Sequence, residues 1–329
     1  MPLLRTDTHQ PPAWLPNGHY QSIYPALFRK IKWNYTRERI STPDDDFLDL
    51  DWSFAVKKKS ADALKRPLVI LSHGLEGNST RQYITGMAQL LTDNGYDCLA
   101  WNYRSCSGEI NRQLRFYHSG ETTDLDFVIQ YAISKGYTEI SLMGFSLGGN
   151  VTLKYVGESG KNIRSAVKKA VAFSVPMDLL ACSRNIEKPE NKIYLWRFLQ
   201  SLKPKIEAKA SQYPERFDPK QWSQVKTFWD FDHVYTGPLH GFEGADDYYQ
   251  KSSSKYFAEK IAIPTLIVNA INDPLVPYQS LPTEIIADLP NVWLELTQQG
   301  GHCGYRPQKF TRKGAYWSEL RALSFLQEV

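Results

Sequence analysis

A serine with glycines two positions to either side, Gly144-Phe145-Ser146-Leu147-Gly148, is the strongest chemical signal in the chain. It directly follows the short apolar run Glu139 to Met143 and precedes a stretch of helical spacing, Leu147 to Glu158. In that strand, turn and helix setting, G-x-S-x-G predicts a strained turn that lifts the Ser146 hydroxyl clear of a sheet, with glycines letting strand and helix approach closely. The helix that starts there would also offer free N–H groups to a developing negative charge. The same pattern fits a turn without chemistry, so the reading depends on partners elsewhere in the chain.

A serine nucleophile needs a base, and seven histidines are available: His9, His19, His73, His118, His233, His240 and His302. Where such a turn tops a mostly parallel sheet, its partners follow in chain order, acid before histidine. His302, in Gly300-Gly301-His302-Cys303-Gly304 after the last expected strand, is then the base. Asp273, in Asn272-Asp273-Pro274 after the apolar run Pro264 to Ala270, is the acid that would hold the imidazole tautomer and stabilise the imidazolium. Negative charge on a tetrahedral intermediate calls for backbone donors. Leu147, next after the serine, is one; Leu75, in the His73-Gly74-Leu75 turn, is the other. His73 is expected to fix that turn by hydrogen bonds rather than to move protons.

Elements that could position these residues alternate from residue 67 onward. Expected strands are Pro67 to Ser72, Tyr96 to Asn102, Glu139 to Met143, Ala170 to Ser174, Pro264 to Asn269 and Val292 to Leu296. Expected helices are Thr80 to Asn94, Glu121 to Ser134, Leu147 to Glu158 and Ala315 to Gln327. This alternation predicts an α/β fold, a mostly parallel twisted sheet with helices on both faces. Upstream, Trp33 to Ser41 and Phe47 to Val56 flank the turn-forming Thr42-Pro43-Asp44-Asp45-Asp46 and predict an antiparallel hairpin at the sheet edge. Between Ser174 and Ile263 the pattern breaks into charges and aromatics, including Tyr194, Trp196, Phe198, Phe228 and Phe231. We read one domain, 1–329, carrying an inserted helical cap over 175–262 that separates Ser146 from Asp273. The cap aromatics would either line a binding pocket or form the cap's own core.

Composition removes other classes. Hydrophobic residues are 42% and charged residues 22% of 329, ordinary for a folded globular chain and unlike a disordered or disulfide-dense one. A net charge of +4 spread over scattered basic residues, with Lys57-Lys58-Lys59 as the longest run, gives no nucleic-acid signature. Cys98, Cys106, Cys182 and Cys303 form no C-x-x-C pair. With no basic and apolar leader and no long apolar run, a cytoplasmic location is the expectation. The aromatic segment Trp14 to Phe28 is expected to pack onto the body of the domain, with peripheral membrane contact left open, and oligomeric state is not legible. The glycines at 144, 148 and 149 do not make G-x-G-x-x-G and no G-K-[ST] follows, so no cofactor and no metal are expected.

Longer segments carry a resemblance. Asn17-Gly18-His19-Tyr20-Gln21-Ser22, His73-Gly74-Leu75-Glu76-Gly77, Asn102-Tyr103-Arg104, Tyr117-His118-Ser119-Gly120-Glu121 and Leu239-His240-Gly241-Phe242, with Asp247-Tyr248-Tyr249, Asn272-Asp273-Pro274 and Gly300-Gly301-His302, resemble those of the YheT-like branch of the α/β-hydrolase superfamily. The likeness spans nearly the whole chain. It implies a capped α/β-hydrolase fold with the triad Ser146, Asp273 and His302, acting on a small-molecule ester or acylglycerol. Ser105 departs from it, standing where the family favours glycine, so the turn there is expected to differ. His118 and His240 are read as structural. The chemistry expected is cleavage of a carboxylic ester, with two alternatives: acyl transfer through the same acyl-enzyme, or a binding protein that keeps the fold without the chemistry.

Overall fold

The run Leu68–Ser72, apolar except for its last residue and without polar alternation, suits a strand buried on both faces, and all five of its residues are buried. The computed structural model, which describes residues 3–6, 8–55, 66–309 and 314–328, gathers nine strands into one sheet. They are β1 (Leu3–Thr6), β2 (Thr36–Ser41), β3 (Phe47–Ser53), β4 (Leu68–Ser72), β5 (Asp97–Trp101), β6 (Ile140–Phe145), β7 (Val167–Phe173), β8 (Thr265–Ala270) and β9 (Val292–Thr297), in the spatial order β1-β9-β8-β7-β6-β4-β5-β3-β2. All pairings are parallel except β2 with β3 and β3 with β5. The expected hairpin is therefore the antiparallel edge, where Arg37 faces Asp51 and Arg39 faces Asp49 across the ladder. Val56, the expected end of its second strand, and the Lys57-Lys58-Lys59 run lie outside the described residues. The opposite edge is β1, which the sequence pattern does not announce because four residues are too few to show a period.

The helices are α1 (Gly18–Phe28), α2 (Gln82–Asp93), α3 (Thr122–Ser134), α4 (Leu147–Ser159), α5 (Leu179–Ile186), α6 (Lys192–Gln212), α7 (Phe228–Phe231), α8 (Gly237–Leu239), α9 (Ala245–Ser252), α10 (Thr283–Ala287) and α11 (Trp317–Glu328). Alternate strand residues supply two separate cores. Val69, Leu71, Met143 and Phe145 pack with Ile84, Met87 and Leu91 of α2 and Ala322, Phe325 and Leu326 of α11. Leu68, Ile70 and Leu142 pack on the other face with Leu125, Val128 and Ile129 of α3 and Val151 and Leu153 of α4. The stretch between β7 and β8 holds no strand among the described residues; α5 to α9, with a π-helical turn at Asp232–Thr236, continue the second core through Leu195, Leu199, Leu202 and Ile206.

A buried guanidinium ties the hairpin edge to the helices. Arg104, only 2% exposed, donates through Nε and Nη2 to Asp124 of α3 (both 2.7 Å) and through Nη1 to Asp46 (2.9 Å) in the β2–β3 turn. The next residue, Ser105, keeps the left-handed backbone (φ 63°) that glycine adopts freely. Its hydroxyl donates to Asn111 Oδ1 (2.6 Å) and accepts from Asn111 N–H (3.1 Å), which offsets the strain. Removing Arg104 takes the bidentate partner from buried Asp124, while Asp46 keeps bonds from Asn111 and three backbone amides, so Arg104→Ala should lower unfolding free energy by about 3 kcal/mol in urea titration; a loss under about 1 kcal/mol would mean that this residue is not a structural keystone.

Candidate active site

Four loops at the carboxyl ends of β4, β6, β8 and β9 meet at one place, the end of an open parallel sheet where ligands commonly bind. Ser146, between β6 and α4, adopts φ 54° and ψ −121°, a conformation that non-glycine residues seldom take. The turn closes because its flanks have no side chains. A Cβ on Gly144 would lie 2.1 Å from Gly148 O, and one on Gly148 would lie 2.3 Å from Ser72 O.

The three residues picked out by type and chain order lie in one hydrogen-bonded line. Ser146 Oγ is 2.8 Å from His302 Nε2, and His302 Nδ1 is 2.9 Å from Asp273 Oδ2. The Asp273 side chain is fully buried and that of His302 is 14% exposed. The second carboxylate oxygen, Oδ1, accepts from the N–H groups of Leu275 (2.8 Å) and Val276 (3.1 Å). Those bonds fix the carboxylate's orientation and leave Oδ2 for the imidazole, so the Nδ1–H, Nε2-acceptor tautomer is the one that fits.

The loop carrying His302 is held from the far end of the chain. Gln21 Oε1 accepts from Gly300 N–H (2.8 Å) and from Asn272 Nδ2 (3.0 Å), while Asn272 Oδ1 accepts from Gly301 N–H (3.0 Å). His302 N–H donates to Ser22 Oγ (2.7 Å). The loops carrying Asp273 and His302 are thus laced together through α1. Gly18 has to be glycine here, because a Cβ would lie 1.8 Å from Asn272 O. The sequence singled out the Asn17 to Ser22 segment only by its likeness to a family pattern; its task as the splint of the base loop was not legible.

Leu75 and Leu147 both border the serine. A Cβ on Gly74 would come within 3.2 Å of Ser146 Cβ, so the β4 turn lies against the nucleophile. The amides on either side of Leu75 are committed, Gly74 N–H to Tyr83 OH (3.1 Å) and Glu76 N–H to Tyr117 OH (2.9 Å). Leu147 opens α4, where a backbone N–H has no partner within the helix. His73 braces this turn. Its Nδ1–H donates to Gly74 O (2.8 Å) and its Nε2 accepts from Tyr103 N–H (3.2 Å), and complete burial pushes its pKa down to about 3, so it stays neutral. Glu76, in the same turn, pairs with Lys205 of α6 (2.6 Å) and thereby fastens α6 to the turn. Burial and nearby Asp273 push the pKa of Cys303, the residue after His302, up to about 12.

Two cavities open on Ser146 and His302. The first is lined by Phe116, Leu179, Ile186, Leu202, Phe228 and Phe231, with polar groups at Asp232 and His118. The second lies between α1 and α6, with Ile23, Ala26, Arg81, Tyr194 and Arg197 on its walls. The aromatics between β7 and β8 therefore serve both ends: Phe198, Phe228 and Phe231 face the first cavity, and behind them Trp222 and Tyr235 pack on each other and on Phe231. His118 belongs to that cavity wall, held by Gly120 N–H and beside Glu121, whereas His240 is anchored to Thr236 O. Among the described residues no cluster of three His, Cys, Asp or Glu side chains could hold a metal ion, and no helix is long and apolar enough to cross a membrane.

Comparison with known proteins agrees with this architecture. A model of the α/β-hydrolase fold family matches residues 67–305. "Putative esterase YheT" of Escherichia coli K12 is 34% identical over 88% of this chain and 84% of its own. "Phospholipase ABHD3" of Homo sapiens is 31% identical over 96% of this chain and 78% of its own. Among solved structures, the esterase Pf2001 of Pyrococcus furiosus superposes with a TM-score of 0.56 at 16% identity, over 91% of this chain and 96% of that one, a likeness of fold alone. Sequence, sheet order and relatives thus agree: the chain belongs to the α/β-hydrolase family and, within it, to the YheT-like group of esterase-type enzymes.

Proposed function

We propose that Ser146, His302 and Asp273 are the nucleophile, general base and orienting acid with which this protein cleaves carboxylic esters of an apolar acyl chain. The relay of 2.8 Å and 2.9 Å from serine to imidazole to a fully buried carboxylate carries the reading. His302 Nε2 takes the Ser146 proton as Oγ attacks the ester carbon, and Asp273 stabilises the imidazolium. Negative charge on the former carbonyl oxygen is met by the N–H groups of Leu75 and Leu147. The imidazolium returns the proton to the leaving alkoxide, and water, deprotonated by the same His302, releases the acid from the acyl-serine. The first cavity supplies the acyl site, its lining aromatic and aliphatic and open at Ser146.

In this reading the chain is one hydrolase domain, with residues 175–262 as its cap. Relatives named an esterase and a phospholipase support an ester or acylglycerol as the small-molecule substrate. Four cysteines without a disulfide partner support a reducing, cytoplasmic setting.

Hydrolysis of a p-nitrophenyl ester series tests the core of the proposal. Activity should rise from acetyl to medium-length acyl chains and fall by roughly a thousandfold or more in Ser146→Ala. Equal rates in both proteins would sink the serine mechanism. A second variant probes the splint: Gln21→Ala should keep KM within a few fold and cut kcat by about 10²-fold, because it loosens the base without touching the substrate. A change confined to KM or to melting temperature would mean that Gln21 serves stability alone.

A further inference from the structure

Helix α1 is turned inside out. Its apolar positions Tyr20, Ile23, Tyr24, Leu27 and Phe28 recur at i, i+3, i+4, i+7 and i+8, the stripe that an amphipathic helix normally buries. The residues it does bury are Gly18, Gln21 and Pro25, the face that splints the His302 loop. Tyr20, Leu27 and Phe28 are 58%, 50% and 65% exposed. On α6, Ile193 and Trp196 are each 63% exposed. With Trp14, these make six of the eleven large exposed hydrophobics among the described residues, so the exposure is concentrated rather than scattered.

The concentration borders the second cavity. Ring stacking of His19 on Tyr194 (5.8 Å) joins the two helices, and Ile23 and Ala26 from α1 and Tyr194, Arg197 and Phe198 from α6 line the passage to Ser146 and His302. The two helices and the segments flanking them contribute charge of one sign, while Glu76 on the cavity's inner wall is paired with Lys205. No acidic residue occurs between Asp7 and Glu38, nor between Glu190 and Glu207. Exposed Lys30, Lys32, Lys192 and Arg197 lie within those stretches. Apolar and aromatic side chains fringed by cations suit the boundary between acyl chains and anionic headgroups. A soluble acidic protein partner would satisfy the charge but would not need the exposed aliphatic Leu27 and Ile193.

We propose that α1 and the first turns of α6 dock on an anionic phospholipid surface, so that an ester enters from that surface through the second cavity; the delivery step rests on the hydrolase reading above, the docking does not. Co-sedimentation with phosphatidylglycerol-containing vesicles, against pure phosphatidylcholine vesicles, tests it. The parent protein should bind the anionic vesicles and release as salt rises. The fourfold variant Leu27→Ser, Phe28→Ser, Ile193→Ser and Trp196→Ser should bind at least about tenfold more weakly, while p-nitrophenyl acetate hydrolysis stays within about twofold. Lys30→Glu with Lys32→Glu should abolish the preference for anionic vesicles, and Ser146→Ala should bind like the parent, which separates docking from chemistry. Undiminished binding by the fourfold variant, or no binding by a hydrolytically active parent, would overturn the inference. So would sedimentation velocity showing a parent dimer that the fourfold variant dissolves, because a second copy would then cover this face.

Discussion

A carboxylate sealed from water has to be satisfied by hydrogen bonds, and Asp273 is satisfied only in one arrangement of the chain. Its Oδ1 is held by two amides of its own loop, Leu275 and Val276, and its Oδ2 by an imidazole that arrives from a different strand. Leaving that second oxygen bare inside the protein would cost several kcal/mol. The loops after β8 and β9 are therefore coupled, and the His302 ring has little freedom to leave the line toward Ser146. The coupling is reinforced by Gln21, whose side chain bonds both Asn272 and the Gly300 amide.

From this constraint the unusual build of α1 follows. A helix that must approach the Asn272 carbonyl and the glycine-rich base loop within bonding distance cannot bring large side chains to that side, so Gly18, Gln21 and Pro25 occupy it. Tyr20, Leu27 and Phe28 are then left on the outer face. Accuracy at the base and exposure at the surface are two consequences of one packing choice, and both bear on how an ester could reach Ser146.

The segment between β7 and β8 meets the same centre from above. Lys205 reaches down to Glu76, and Tyr117 donates to the same carboxylate, so the turn bearing Leu75 is fixed by α6 as well as by His73 and Tyr83. In the proposed mechanism the Leu75 amide would gain from such rigidity, because no reorganisation is needed when charge develops on the substrate oxygen. The strained Ser146 backbone is sustained by contacts of the same kind, glycines at 144 and 148 that let strand and helix close around it.

How much of this was legible in the chain depends on the range of the interactions. Periodicity is local, so the alternation of strands and helices, the antiparallel hairpin and the turn at Ser146 could be read directly from the sequence. Chain order then narrowed acid and base to Asp273 and His302, and the structure brings those side chains within bonding distance of one another. The four-residue strand β1 escaped because it is too short to show a pattern, and the pairing of Gln21 with Asn272 spans 251 positions that no local signal connects. Which aromatics face the cavity and which pack on each other is likewise a matter of where helices land. A sequence records which residues are apolar, but which of them meet water is decided only when helices and sheet compete for the same buried space, as the exposed stripe of α1 shows.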